Sequence, residues 1–342
     1  MPMSGADRRH VAQPRGAGGV VIRGPGLNPG PGYAGGVVTG RRRVIELGKR
    51  GMRAPYGAPV RLGFRAVTAA QVGVVAALDS ARVQGPSSDQ RRETADRVTM
   101  AAKTFERPET ARRLVRSTRR VFDGRIVLAD DSRAPMDAPA PGVDVIALPF
   151  NVGVAVGRNA ALDAVDTEFV LVTDDDIVFT AASGVSRMVE YLDRTPDVDL
   201  VGFLLVQLPL WFAYDHGADT LFPGHDPPLR PHGELINGLP VRYKIAQVYL
   251  ARTEAVQRVR WDEGIQMVDH RDFFTRAAGR VVTVLDPGSH VYHVRTPFKA
   301  GYTAFREDTA ADLTYLQRKW YGSSRRPDPV DEEGPSSPAA AS

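Results

Sequence analysis

Apolar positions along this chain fall into two regimes that meet near residue 96. Beyond that point, short apolar blocks alternate with longer segments in which apolar residues recur at helical spacing. The blocks at 98–104, 125–129, 143–148 and 168–173 read as strands. Segments 108–122, 154–165 and 182–194 read as helices, the first opening at Pro108, where the first turn needs no amide donor. The order β-α-β-β-α-β-α predicts an α/β layer fold, a Rossmann-like mixed sheet flanked by helices. Further strands are expected at 198–206, 244–251, 281–285 and 289–294, with helices near 253–258, 270–278 and 304–321. Residues 209–240 are irregular and rich in Pro, Gly, His and aromatics, and a loop of that length inside a compact domain usually has a function.

Before residue 96 the pattern is weaker. Residues 1–40 are dominated by Gly, Pro and Arg and bury too little apolar surface to offset the entropy of ordering, so a disordered tail is expected there and again at 323–342. Segment 41–95 has no assigned role. Its apolar stretches 60–67 and 69–78 predict a small sheet or a strand and helix, and VQGPSSDQR at 83–91 reads as a linker. The folded domain is placed at 96–322. No run reaches the ~18 consecutive apolar residues of a membrane span, so no transmembrane segment is expected. The first fifteen residues lack the apolar core of a secretory signal, which makes a cytoplasmic protein the expectation.

Composition narrows the chemistry. The 342 residues contain no cysteine, so disulfides and thiolate chemistry are excluded and any metal must be held by carboxylate, imidazole or water, a donor set suited to Mn2+ or Mg2+. The net charge of +4 divides unevenly, with +10 in residues 1–65 and −6 in the remainder. Arg41, Arg42 and Arg43 are read as part of a solvated basic tail in preference to a nucleic-acid contact, so no nucleic-acid partner is expected.

Two acidic clusters fall at the C-terminal ends of expected strands, the edge at which open parallel sheets bind ligands. Asp174, Asp175 and Asp176 follow an almost wholly apolar strand, and three adjacent carboxylates need a compensating charge, most simply a divalent cation. Extended alternation would put Asp174 and Asp176 on one face. The plainer reading is a polar loop capping the next helix. Asp130 and Asp131 are placed to accept hydrogen bonds from a base or ribose. NVGVAVGRN at 151–159 opens a helix, so its backbone and Arg158 are placed to approach a diphosphate, although Gly153 and Gly157 do not form a dinucleotide fingerprint and no Walker lysine follows. Downstream, Trp261, Asp262, Asp269, Arg271 and Asp272 precede or open an amphipathic helix. Asp272 is the candidate base for an acceptor hydroxyl, the alternative being that Asp269 and Asp272 merely charge a helix start. Of His290 and His293, strand alternation allows only one to reach a metal.

The segments VTMAAKTFERPE, RIVLADDS, LPFNVGVAVGRNAAL, FVLVTDDDIVFT, YLARTEAV and WDEGIQMVDHRDFFTRAAG, spread over residues 96 to about 295, resemble the GT-A glycosyltransferases. Within them the chain is most similar to the β-1,4-N-acetylgalactosaminyltransferase family and, more widely, to family 2 glycosyltransferases. The resemblance implies a GT-A fold and an inverting enzyme that moves a sugar from a UDP-sugar to a glycan or small-molecule acceptor; the family's eukaryotic members are membrane-anchored, and with no anchor found here a soluble, bacterial-type relative is expected. It implies that Thr104, Asp131 and Arg158 bind the uridine diphosphate and that Asp174 and Asp176 form the DXD-type metal site, with Asp175 beside the nucleotide sugar. It further implies His293, with His290 as the fallback, as a late metal or diphosphate ligand, and Asp272 as the base. Arg271 departs from the family segment by placing a cation where that segment is acidic. Trp211 in the long loop offers an aromatic face to an acceptor sugar. The competing classes are a nucleotidyltransferase, which lacks support because Lys103 and Thr104 are followed by Phe105 and Glu106, and a GT-A fold that binds without catalysis.

Overall fold

The computed structural model describes residues 58–213, 216, 220–294, 302, 305 and 308–322. The tails expected at 1–40 and 323–342, and Arg41 to Arg43, lie outside the described residues.

The sheet is built on a parallel half. Strands β1 (Val98–Thr104), β2 (Ile126–Asp130), β3 (Val143–Ala147) and β4 (Phe169–Asp174) lie in the order β3-β2-β1-β4, with β1 parallel to both β2 and β4. The chain winds outward from β1 to β3 and returns on the other side of β1 as β4. A topological switch point therefore lies between the C-terminal ends of β1 and β4. Beyond β4 the order continues β10 (Tyr249–Arg252), β6 (Leu200–Leu208), β11 (Thr283–Val294) and β5 (Ile177–Val178). Strand β10 is antiparallel to both neighbours, β11 is parallel to β6, and the two-residue β7 (Phe212–Ala213) pairs with β6. The strands at 281–285 and 289–294 are one strand, because Asp286 accepts hydrogen bonds from the Gly288 amide at 2.8 Å and Ser289 Oγ at 2.6 Å and so absorbs the irregularity as a bulge. A small hairpin, β8 (Leu235–Ile236) and β9 (Leu239–Pro240), lies within the expected irregular stretch.

Alternate residues of each strand enter opposite cores. Val98, Met100 and Ala102 face the layer that holds Ala111 and Leu114 of α3 (Pro108–Thr118) and Met188 and Leu192 of α5 (Val185–Arg194). Ala101, Val127 and Ala129 face α4 (Val154–Asp163), α6 (Thr253–Val259) and α7 (Asp269–Ala277). The result is the three-layer α/β arrangement expected from the alternating blocks. A last helix, α8 (Ala310–Tyr321), crosses the α7 side, where Leu316 packs with Phe222 and Ile265.

The N-terminal region differs from expectation. The two short segments foreseen between 60 and 78 are a single helix, α1 (Ala58–Arg82), and the expected linker contains the start of another, α2 (Ser88–Arg97). Ser87 caps α2 through a reciprocal pair of bonds with Gln90, at 3.2 Å from the Gln90 amide and 3.0 Å from its own amide to Gln90 Oε1. Helix α1 docks through Thr68, Val72, Val75 and Asp79, the valines packing on Val178, Leu208 and Tyr292. Asp79 is buried and accepts from Thr180 Oγ1 at 2.6 Å and Tyr292 Oη at 3.0 Å, with His290 Nε2 at 3.3 Å. Burial alone would raise the Asp79 pKa, but His290, Thr180 and Tyr292 outweigh it and hold the carboxyl below its ordinary value. A depressed carboxyl of this kind contributes stability above the ordinary Asp range and loses it as the pH falls through that range and below.

Replacing Asp79 with Ala strands two buried hydroxyl donors, Thr180 and Tyr292, and the half-buried His290. It is expected to cost about 1–3 kcal/mol and to speed amide exchange through α1 ahead of the sheet. Unchanged exchange in α1 would show that the clamp does not hold the helix.

Candidate functional site

The switch point brings the loop after β1, the β2 end and the β4 end together. Asp174 is the last residue of β4, and Asp175 and Asp176 form the turn into β5. Because the chain stops being extended at Asp174, the alternation expected from sequence does not hold, and it is Asp175 and Asp176 that share a partner. Both bind Arg107, which enters from the loop between β1 and α3: Nη2 contacts Asp175 Oδ1, and Nη1 lies 3.0 Å from Asp176 Oδ2. Asp175 also accepts from Thr104 Oγ1 at 2.7 Å. Burial, together with the charges of Asp176 and Asp174 and against that of Arg107, pushes the Asp175 carboxyl up to about 6. Asp174 is partly exposed and pairs with Arg158 Nη2 at 2.6 Å, while Arg158 Nη1 contacts Asp269 at the start of α7. Arg158 is itself buried, and Asp269 and Asp174 raise its pKa against that burial.

A second buried pair lies on the β2 side. Lys103 Nζ is 2.7 Å from Asp131 Oδ1, and the Gly153 amide donates to Asp131 Oδ2 at 3.2 Å. Burial pushes each partner toward its neutral form, lowering Lys103 and raising Asp131, and their mutual attraction opposes it. Asp130 is otherwise employed: its two oxygens accept from the Ser132 and Met136 amides at 2.9 and 2.8 Å, so it shapes the loop after β2 and has no free edge for a nucleobase. The mouth of α4 is likewise less open than NVGVAVGRN suggested. The Gly153 amide is spent on Asp131 and the Val154 amide on Gln266 O at 2.7 Å. The second glycine makes room for a side chain, since a Cβ on Gly157 would lie 2.5 Å from Lys103 Cγ.

The late histidine meets the aspartate run. His293 Nε2 lies 3.2 Å from Asp176 Oδ2, and its Nδ1 lies 2.7 Å from Gln207 Oε1 on β6. Gln207 Oε1 can only accept, so Nδ1 carries the proton and Nε2 of the neutral ring presents a lone pair toward the carboxylate. Two acceptors at that separation call for a proton or a cation between them. His290 instead turns to Asp79 and Tyr292, as alternation along β11 required.

As a metal site, Asp176 and His293 supply an oxygen and a nitrogen donor of the kind Mn2+ and Mg2+ accept, with phosphate and water completing the shell. Asp174 is not beside them, and among the described residues no cluster of three or more His, Asp or Glu forms a complete metal cage. The residues present therefore fit a cation held jointly with a ligand. Near Asp174, the buried Tyr249 hydroxyl, Trp261 Nε1 and Arg158 Nε have no hydrogen-bond partner among the described residues.

Asp272 is fully buried. Its Oδ2 accepts from Arg276 Nε at 2.7 Å, and its Oδ1 faces Trp320 Nε1 at 2.8 Å and Lys319 Nζ at 2.7 Å, both from α8. Arg271 turns away, donating to Leu221 O at 2.8 Å and lying over the Phe222 ring at 4.2 Å, so the cations beside Asp272 are Arg276 and Lys319. Of the other acceptor candidates, Trp261 is buried against Phe273 at 4.9 Å and offers no open face, and Asp262 is tied to Lys319 at 2.5 Å and Tyr315 at 2.9 Å. Trp211 remains partly exposed, edge-on to Tyr292 at 6.4 Å. Sequence reading missed Lys103, Arg107 and Gln207. The only signal for them was a polar residue at the end of, or just after, an apolar strand.

An open sheet of this order, with an acidic turn after the strand beyond the switch point and a later histidine reaching it, defines the GT-A glycosyltransferase fold. Residues 103–232 match Glycosyl transferase family 2. The chain is 37% identical over 193 residues to human Beta-1,4 N-acetylgalactosaminyltransferase 1, covering 53% of this chain and 36% of that one. It is 31% identical over 221 residues to mouse Beta-1,4 N-acetylgalactosaminyltransferase 2, covering 62% and 42%. The chain thus spans less than half the length of these curated relatives. Among solved structures it is similar to S. aureus TarS 1-349 in complex with UDP-GlcNAc, at a TM-score of 0.45 and 14% identity over 58% of this chain and 59% of that one.

Arg107→Ala leaves Asp175 and Asp176 buried without their cation and is expected to destabilise the fold by about 3–5 kcal/mol, with much of the loss recovered when Asp175→Asn is added. Chemical denaturation measures both. Additive losses in the double variant would mean that Arg107 does not act on the fold through Asp175.

Proposed function

We propose that this chain transfers a sugar from a UDP-sugar to an acceptor hydroxyl, with inversion at the anomeric carbon and with Mn2+ or Mg2+ as cofactor. The observation that carries the reading is the Asp176–His293 pair, an oxygen and a nitrogen donor 3.2 Å apart beside a turn of three carboxylates. The relatives' names make an N-acetylhexosamine the first donor sugar to test.

A divalent cation bound there would neutralise charge that develops on the departing diphosphate. Asp176 and His293 would hold it, and Gln207 orients the imidazole so that Nε2 would be turned toward it. Arg158, shared between Asp174 and Asp269, is placed to pair with phosphate oxygens in a bidentate manner once donor enters. Lys103, Asp131 and Thr104 line the nucleoside side, and Asp175 orients Thr104 and Arg107. Asp272 takes the acceptor proton as the hydroxyl oxygen attacks. Lys319 and Trp320 occupy its Oδ1 in this arrangement, so the end of α8 must withdraw before an acceptor reaches it. Trp211 supplies the exposed aromatic face against which an acceptor sugar would stack.

The first test is a thermal-shift screen with Mn2+ and UDP-, GDP- and dTDP-sugars, because a ligand of the folded state raises its melting temperature by mass action. A manganese-dependent rise with a UDP-sugar is expected, and no rise with any nucleotide sugar would defeat the proposal. Gln207→Ala is expected to weaken Mn2+ binding in the presence of UDP by roughly 10–100-fold, as read by titration calorimetry. An unchanged affinity would remove His293 from the metal site. Asp272→Asn should lower kcat by about 100- to 10,000-fold while donor binding persists, whereas Asp269→Asn should act mainly on donor KM. The reverse outcome would transfer the base role to Asp269.

A further inference from the structure

Helix α1 has its polarity inverted relative to an ordinary surface helix. Its docked face carries Thr68 and Asp79 beside Val72 and Val75, whereas every exposed position from 66 to 78 is Ala, Gly, Val or Leu. Leu62, Val67, Val74 and Leu78 are 70%, 55%, 52% and 40% exposed. Those eight positions, spread over thirteen residues, make a continuous apolar strip about 20 Å long, and its ends are basic, with Arg61 and Arg65 before it and Arg82 after it. The sequence leading into the strip adds to that charge: between residues 41 and 65 there are eight Lys or Arg and a single acidic residue, Glu46. Contiguous exposed apolar surface of this kind marks an interaction site.

We propose that α1 is a membrane-docking helix that lies in the plane of an anionic bilayer surface, its apolar strip among the acyl chains and its basic flanks on the headgroups. The charge selects this occupant over a second copy. Pairing two α1 helices through the strip, parallel or antiparallel, sets basic ends against basic ends, and no exposed acidic residue of the helix relieves them. A bilayer bearing negative headgroups satisfies the strip and its flanks together. By length and composition the segment Arg61–Arg82 also suffices to cross a bilayer, but its buried Asp79 is held by Thr180 and Tyr292, and crossing would strip that carboxylate of its donors. The inference is independent of the transferase reading.

The test is co-sedimentation of the full chain with sucrose-loaded vesicles, either of phosphatidylcholine alone or with about one-third phosphatidylglycerol, at low and physiological salt. Binding to the anionic vesicles only is expected. The combined substitution Val67→Glu and Val74→Glu, at two exposed positions on one face, should weaken it about tenfold or more without changing the melting temperature. Failure to sediment with anionic vesicles would overturn the proposal. So would binding that the double substitution leaves intact, since the basic segment alone would then be responsible. Resistance to extraction at alkaline pH would make the helix a spanning one, and a doubled mass in light scattering that Val74→Glu abolishes would assign the strip to a second copy.

Discussion

Three consecutive carboxylates at the end of a buried strand can share one small volume only if cations meet them there, and much of the site follows from how this chain provides those cations. Arg107 reaches Asp175 and Asp176 from the loop after β1, and Arg158 reaches Asp174 and Asp269 from α4. Removing a buried partner is far more costly than the pair is worth, because the surviving charge is left in a low-dielectric interior. Each arginine therefore ties two segments remote in sequence: Arg107 joins the β1 loop to the β4 turn, and Arg158 joins α4 to both that turn and α7. The site is thereby organised before any ion or nucleotide arrives. On the proposed reading, an incoming diphosphate would meet guanidinium groups already in place, and a cation would meet Asp176 and His293 already opposed.

Strands β1, β2 and β4 were legible because both their faces are buried, which writes them as nearly continuous apolar runs, and β1 was read with its observed limits. Helix α1 was not legible, for the opposite reason. Periodicity locates a helix by an apolar face turned inward, and here the inward face carries Thr68 and Asp79 while small apolar residues face outward. The Asp286, Pro287, Gly288 sequence reads as a turn between two strands, yet the sheet absorbs it as a bulge within β11.

The site was half legible. The acidic turn, Asp131, Arg158 and His293 could be picked out because each stands at the end of a strand, in the opening turn of a helix or on a late strand, in a motif that resembles known transferases. Their partners could not. Arg107 lies 68 and 69 residues from the aspartates it serves, and Gln207 lies 86 from His293, so nothing local distinguishes them in a chain with many arginines. Asp130 shows the converse error: an acid at a strand end looks available for a ligand until the two backbone amides that occupy it are seen.

The two ends of the site differ in rigidity, and that difference implies an order of events. The donor end rests on strand termini and buried ion pairs. At the acceptor end, Asp272 has one fixed cation and one removable one. Arg276 is anchored through its other nitrogens to Val259 O at 2.6 Å and Arg260 O at 2.7 Å, so it goes on orienting the carboxylate whatever α8 does. Lys319 is shared with Asp262 on the partly exposed face of α8, where a modest shift of the helix releases it. On the proposed reading, donor would bind while Asp272 is still covered, and water would be kept from that carboxylate until the end of α8 moved. If Asp272 is the base, its exposure would be coupled to acceptor entry, and the contacts that hold the resting arrangement together would disfavour hydrolysis of the donor.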